Sequence, residues 1–221
     1  MKDLKLFIHI PKNGGSSVKA YPRTNSKVIY GLNTDSNVEN SNNHNWFGWH
    51  SRWKDIDKES AHTYNIARLH TAFAIIRNPW ARTVSRYVFG LESLYREDHG
   101  VIPKNFDEFL ETRHVWKNEW YDPIRSWNTQ YDYVCDDKGD IRCDILRLEH
   151  IDHDLPKYLN VDIKQVVKEN VTGYTESYTD YYNKKSIQIV ADWYQQDIDY
   201  WGFDFKYDWL NKGATKNTFF K

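Results

Sequence analysis

Residues 7–17 read FIHIPKNGGSS, and this segment decides the fold prediction. The apolar run from Leu4 to Ile10 predicts a buried strand. The Gly14-Gly15 pair allows a tight turn, after which residues 16–21 predict a short helix. Because the unpaired N–H groups at a helix N-terminus favour anions and Lys12 adds a positive charge, the segment predicts a loop that binds phosphate.

The position of the lysine separates this loop from that of nucleoside triphosphatases. A P-loop places Gly-Lys-Ser or Gly-Lys-Thr at the end of its turn, so that the hydroxyl can hold Mg²⁺. Here Lys12 comes before the glycines, and neither tripeptide occurs in the chain. The segment therefore predicts an anion site that differs from an ATPase loop.

A second junction between a strand and a helix follows at residues 72–85. The apolar run Ala72–Ile76 predicts a buried strand, Asn78 is a natural helix N-cap, and Pro79 suits the first helical position. Arg77 ends the strand and Ser85 lies about two turns into the helix, so both are candidates to bind one phosphate. Two phosphate sites indicate a bisphosphorylated nucleotide.

Strand and helix patterns alternate along the rest of the chain. Residues 27–30 and 141–148 predict strands, while residues 106–116 and 187–201 predict helices, the last ending at Gly202. This alternation predicts an α/β fold: a three-layer sandwich with a central, mainly parallel sheet and the nucleotide across the carboxyl ends of its strands. We expect a single domain over residues 1–210 and a polar C-terminal tail over 211–221.

The amino-acid composition limits the kinds of binding partner and the cellular compartment that we expect for the protein. Lys plus Arg number 30 and Asp plus Glu 31, so no overall field favours nucleic acid or an anionic membrane. The chain has no run of 18 apolar residues and no spacing typical of metal ligands, so neither a membrane span nor a metal is predicted. Cys135 and Cys143 flank a predicted hairpin turn, so a cross-strand disulfide is geometrically conceivable, although free buried thiols are favoured. The expected compartment is the cytoplasm.

The two phosphate motifs together resemble those of sulfotransferases that use 3′-phosphoadenosine-5′-phosphosulfate (PAPS). Residues 7–17 are similar to the loop that binds the 5′-phosphosulfate, and Arg77 with Ser85 to the motif that binds the 3′-phosphate. The resemblance extends to the soluble bacterial and viral relatives of Golgi carbohydrate sulfotransferases through residues 130–133, the Gly139 turn, and residues 147–150 and 201–205. It implies that PAPS is bound by Pro11, Lys12, Asn13, Gly14, Gly15, Ser16, Ser17, Arg77 and Ser85.

The resemblance also implies the catalytic residues. The family's candidate base is a histidine between the two phosphate motifs, and His50, within Trp49–Ile56, occupies the matching stretch. Since histidine titrates near neutrality, His50 is expected to accept the proton of the attacking hydroxyl. Lys12 is expected to stabilise the oxygen left on the product, 3′-phosphoadenosine-5′-phosphate (PAP), by analogy with phosphoryl transfer. The acceptor is expected to be a glycan or a small molecule that bears a hydroxyl.

Two other functions stay open at this point. One is a nucleotide-dependent kinase on a related fold, which would need Mg²⁺ and a site for the ATP γ-phosphate. The other is a protein that binds PAP or a glycan without catalysis. Among the remaining charged residues, Arg82 either lies at the surface, which is favoured, or assists Arg77 at the phosphate. Arg147 either contacts the nucleotide or is structural, and His9 is expected to be structural. The oligomeric state is not predicted.

Overall fold

The computed structural model describes residues 5–20, 28–30, 50, 52–54, 71–91, 103–112, 127–161 and 177–206. The strands are β1 (Lys5–Ile8), β2 (Val28–Tyr30), β3 (Thr71–Ile76) and β4 (Asp144–Arg147). The helices are α1 (Gly15–Ala20), α2 (Pro79–Phe89), α3 (Phe106–Glu111), α4 (Gln130–Val134), α5 (Ile151–Leu159), α6 (Lys184–Trp193) and α7 (Gln195–Trp201). Turns of 3₁₀-helix occupy Leu148–His150 and Tyr178–Tyr181. The predicted tail, 211–221, lies outside the described residues.

The strands form one parallel sheet in the order β2-β1-β3-β4. In the register, Phe7 lies opposite Phe73, and Ile76 lies opposite Arg147. The two central strands are buried along almost their whole length. Central strands of a parallel sheet are covered on both faces, which explains why their sequences are continuous apolar runs instead of alternating ones. The predicted parallel α/β arrangement is confirmed for the described part of the chain.

The described residues fall into two compact units. The first unit holds those up to Ile76 together with residues 130–161, and the second holds residues 77–129 and 177–206. The sheet belongs to the first unit. A single domain over residues 1–210 stays a prediction.

One face of the sheet is covered by an apolar core in the first unit. Phe7, Phe73, Ile75 and Leu146 project from the strands, and the core is completed by buried side chains of α1 and α5 such as Val18, Ile151 and Leu155. This packing places α1, and therefore the loop in front of it, firmly against the sheet.

Aromatic rings form the centre of the second unit. Tyr87 of α2 contacts Phe106 and Phe109 of α3, and the ring centroids lie 5.3 and 5.2 Å apart. Tyr182 meets Phe106 edge-on at 4.8 Å. Among the described large apolar side chains, Tyr200 is the exposed one. The abundant aromatic residues of this unit therefore serve core packing.

The C-terminal helix prediction was wrong in one respect. Residues 187–201 were expected to form one helix, but the chain leaves the helical conformation at Tyr194, which separates α6 from α7. The Tyr194 N–H still donates to the Val190 carbonyl, and the Tyr194 carbonyl accepts from Ile198 N–H at 3.0 Å. The helical spacing of apolar residues therefore continues across the break. Gly202 ends α7 with φ +68°, as predicted.

The predicted hairpin turn is present after α4. Cys135 pairs with Ile141 in an antiparallel bridge, and Gly139 turns the chain with φ +85°. The prediction that Cys135 and Cys143 are free and buried is confirmed. Burial raises the pKa of both thiols, so they are protonated at neutral pH.

Candidate active site

The loop between β1 and α1 has an unusual backbone. Lys12 has φ +67° and Gly14 φ +76°, whereas Asn13 between them is not left-handed. Left-handed residues in such a turn are typical of nests, in which successive N–H groups face one side and bind an anion. A left-handed conformation at a residue other than glycine costs about 1 kcal/mol or more. That a lysine occupies such a position supports a functional role for its charge.

Both glycines of the loop lie against other side chains. A Cβ atom at Gly14 would be 2.5 Å from Leu148 Cδ1, and one at Gly15 would overlap the imidazole of His9. At distances this short, the Leu148 or His9 side chain would have to move before a Cβ could be accommodated. The sequence indicated that the two glycines allow a tight turn. The structure adds that each glycine leaves room for the side chain of a neighbouring residue.

Asn13 ties the loop to the interior. Its side chain is 1% exposed, and its Nδ2 donates to the Ile75 carbonyl at 2.7 Å and to Gln130 Oε1 at 2.6 Å. Its backbone N–H donates to the Ile10 carbonyl at 3.3 Å. Asn13 therefore fixes the conformation of the loop, because its amide nitrogen is hydrogen-bonded inside the first unit.

His50 lies beside the loop in the same unit. Its ring centroid is 4.3 Å from that of His9, and its Nδ1 is 3.0 Å from the His9 carbonyl oxygen. A carbonyl oxygen can only accept, so Nδ1 carries the proton in this contact. In the neutral imidazole the lone pair is then on Nε2, which is the form that a general base needs.

Two cations follow His50 and meet one carboxylate. Arg52 Nη1 lies 2.7 Å from Asp132 Oδ2, and Lys54 Nζ contacts Asp132 Oδ1. All three side chains are only partly exposed, and Asp132 belongs to α4. The segment with His50 is therefore held to α4 by charge-assisted bonds.

The second predicted phosphate motif lies in the second unit. Asn78 caps α2 by accepting from the N–H groups of Trp80 and Ala81, and Pro79 is the first helical residue, as predicted. Ser85 is 4% exposed, and Arg77 is half-buried. Burial raises the pKa of Tyr182, and both the Thr83 hydroxyl and the Arg77 charge oppose this shift. Arg77 thus lies within electrostatic range of Tyr182.

Arg82 is not at the surface, and that prediction was wrong. The side chain is 2% exposed, its Nη1 donates to the Asn128 carbonyl at 2.9 Å, and its guanidinium lies 5.6 Å from the centre of the Tyr194 ring. A carbonyl and an aromatic face together compensate the buried charge. Arg82 therefore stabilises the second unit.

Arg147 ends β4 and is buried. Burial lowers its pKa to about 10, an effect that the nearby Glu149 carboxylate opposes. The guanidinium thus stays charged at neutral pH. Its neighbour Leu148 packs against Gly14, so Arg147 precedes a residue that contacts the loop between β1 and α1.

Sequence reasoning missed two residues of this arrangement as partners of the loop and of the His50 segment. Gln130 and Asp132 were noted only as part of a family-like stretch, without a role. Their spacing, i and i+2 on a short helix, has no local signature of function.

Among the described residues, no group of three or more histidine, cysteine or acidic side chains is placed to hold a metal ion. Within that same part of the chain, no helix combines the length and the apolar character needed to cross a membrane.

Comparison with known proteins gives the family. The model of the Sulfotransferase family matches residues 2–204, nearly the whole chain. The chain therefore belongs to the sulfotransferase family, and sulfuryl transfer is its general activity. The searches of curated proteins and of solved structures return no match.

Proposed function

We propose that this sulfotransferase moves the sulfuryl group of PAPS to a hydroxyl of a carbohydrate acceptor. His50 acts as the general base and Lys12 stabilises the oxygen that is left on PAP. The proposal includes a three-layer α/β sandwich, in which the phosphosulfate is bound by the loop Pro11–Ser17 and the 3′-phosphate by Arg77 and Ser85. No metal takes part.

The observation that carries this proposal is the position of His50 next to the loop. His50 contacts His9, and the His9 ring lies directly on Gly15 at the start of α1. One histidine with its lone pair on Nε2 is thus two contacts away from the backbone of an anion-binding loop. A base and an electrophile site so close together support transfer to a bound hydroxyl, since proximity is a large part of catalysis.

The chemical step follows from these positions. His50 Nε2 takes the proton as the acceptor oxygen forms its bond to sulfur. The bond between sulfur and the bridging oxygen breaks, and its electron pair stays on the 5′-phosphate of PAP. Lys12 and the N–H groups of the loop stabilise the charge that builds on that oxygen. The loop geometry, with φ values of +67° and +76° at Lys12 and Gly14, supports anion binding there.

The assignment of the donor is tested by thermal shift with PAP and with ATP. A ligand at one hundred times its Kd stabilises the native state by about 2.7 kcal/mol. For a chain of this size we expect a rise in Tm of about 5–10 °C with PAP and none with ATP plus Mg²⁺. Arg77→Ala and Ser85→Ala should each reduce the PAP shift. A larger, Mg²⁺-dependent shift with ATP would instead favour a kinase.

The role of His50 is tested by turnover, with His153 as the matched control. His153 is a histidine of the same unit whose side chain is 78% exposed. With ³⁵S-labelled PAPS and a panel of glycans, we expect His50→Ala to lower kcat by about 10²–10⁴-fold and His153→Ala to leave it unchanged. PAP affinity should be unchanged in both variants. PAP binding without any turnover by the wild type would indicate a binding protein.

A further inference from the structure

Helix α4 contacts both halves of the proposed chemistry. Its first residue, Gln130, is 0% exposed and accepts from Asn13, which stands between Lys12 and Gly14 of the anion loop. Two positions later, Asp132 binds Arg52 and Lys54, which follow the proposed base. One short helix therefore holds the donor loop with one side chain and the His50 segment with another.

The link to the loop is rigid. Asn13 Nδ2 donates to two acceptors at once, the Ile75 carbonyl near the end of β3 and Gln130 Oε1. Both side chains are buried, so water does not compete for these hydrogen bonds. The middle residue of the loop is thus fixed between the sheet and α4.

The link to the His50 segment is electrostatic. A single carboxylate faces two cations, so its removal leaves Arg52 and Lys54 as neighbouring like charges. Like charges at this range repel, and His50 precedes Arg52 by two residues in the chain. The Asp132 charge therefore determines where that segment rests.

Helix α4 is itself well anchored. Tyr133 and Val134 are fully buried, and the Tyr131 hydroxyl donates to the Gly139 carbonyl at 2.6 Å in the hairpin that follows. A support of this kind cannot shift without disrupting the core of the unit. Helix α4 therefore keeps a fixed distance between the backbone positions of Gln130 and Asp132.

We propose that Gln130 and Asp132 are positioning residues, which align the anion loop and the base with each other through α4. This inference rests on the proposed function for its meaning in catalysis, but not for its structural content. Gln130 acts on donor binding through Asn13. Asp132 acts on the base through Arg52 and Lys54.

Two measurements separate the effect of Gln130 on the donor loop from the effect of Asp132 on His50. The first is the Kd for PAP. The second is the rate at which diethylpyrocarbonate modifies His50, followed by peptide mass spectrometry with the exposed His153 of the same molecule as internal reference. Tyr131→Phe is the matched control, since it removes an equally short hydrogen bond of α4, one that runs to the Gly139 carbonyl and not to Asn13, Arg52 or Lys54.

We expect Gln130→Met to raise the Kd for PAP at least fivefold and to leave the His50 modification rate within twofold of wild type. Asp132→Asn should do the opposite: a His50 rate at least threefold higher, because the imidazole loses its fixed contact with the His9 carbonyl, and an unchanged Kd. Asp132→Glu should restore most of the wild-type rate. With the acceptor that the wild type sulfates, Asp132→Asn should lower kcat about 10–100-fold at unchanged KM for PAPS.

The inference is overturned if Asp132→Asn leaves the His50 rate unchanged, or if either variant changes both readouts in proportion, as general loosening of the unit would do. Arg52→Gln provides a second test of the same arm should Asp132→Asn fail to fold, with the same expected rise in the His50 rate. If the wild type binds no PAP, the proposed function is wrong, yet the His50 measurement still decides whether Asp132 positions that residue.

Discussion

Gly14→Ala is expected to destabilise the protein much more than Gly139→Ala, although both glycines have positive φ values, +76° and +85°. At Gly139 a new Cβ would lie 3.8 Å from the Tyr131 hydroxyl, an ordinary contact. At Gly14 it would lie 2.5 Å from Leu148 Cδ1. The two substitutions share the backbone strain and differ in the steric clash.

The structure sets the two magnitudes. A residue other than glycine in the left-handed region costs about 1–2 kcal/mol, and overpacking adds about 1–3 kcal/mol. Gly139→Ala should therefore cost about 1–2 kcal/mol and Gly14→Ala about 2–5 kcal/mol. Since 1 kcal/mol corresponds to about 2–4 °C in a chain of this length, Gly14→Ala should lower Tm by about 4–20 °C.

Urea unfolding of both variants gives the comparison, and Leu148→Ala tests its cause. In the Leu148→Ala background the clash is absent, so Gly14→Ala should cost no more there than Gly139→Ala does in the wild type. Equal costs for Gly14→Ala in the two backgrounds would refute the close packing of the anion loop against Leu148. A double-mutant cycle over the two positions reports the coupling energy directly.

Four further predictions concern stability and reactivity. Asn183→Ala removes the N-cap of α6 and should cost about 1 kcal/mol by urea unfolding, whereas Asn183→Ser should retain most of the stability. Arg82→Met should cost about 2–4 kcal/mol, because a buried bond from a charged donor and a ring contact are lost. A cost below about 0.5 kcal/mol would show that these two contacts do not stabilise the second unit. Because burial raises the pKa of Cys135 and Cys143, iodoacetamide should label both thiols slowly in the native protein at pH 7.5 and quickly after unfolding. The same shifts mean that the folded state keeps protons that the unfolded state releases, so stability should fall as the pH rises above the ordinary thiol pKa, as a pH series of unfolding curves would reveal.

Parts of the fold followed from local signals in the sequence. The apolar runs before Pro11 and before Arg77 predicted β1 and β3, and Asn78-Pro79 predicted the start of α2. Each of these signals acts over a few residues, because a buried strand, a turn and a helix cap depend mainly on neighbours in the chain. The turn between β1 and α1 was predictable for the same reason.

The C-terminal helices illustrate a limit of such signals. Apolar spacing over residues 187–201 continues across Tyr194, so the pattern cannot reveal that the backbone breaks there. Arg82 illustrates another limit. A charged residue on a helix predicts exposure, and only the presence of Asn128 and Tyr194 around it decides that it is buried.

The sequence by itself determined the class of fold, the turn between β1 and α1, and the family to which the chain belongs, because these depend on short motifs of fixed spacing. The tertiary structure alone decided how the loop is supported. Asn13 and Gln130 are 117 residues apart, and Arg52 and Asp132 are 80 apart. Hydrogen bonds and ion pairs between such distant residues leave no periodic trace in the chain, since they depend on how strands and helices pack and not on which residues are adjacent.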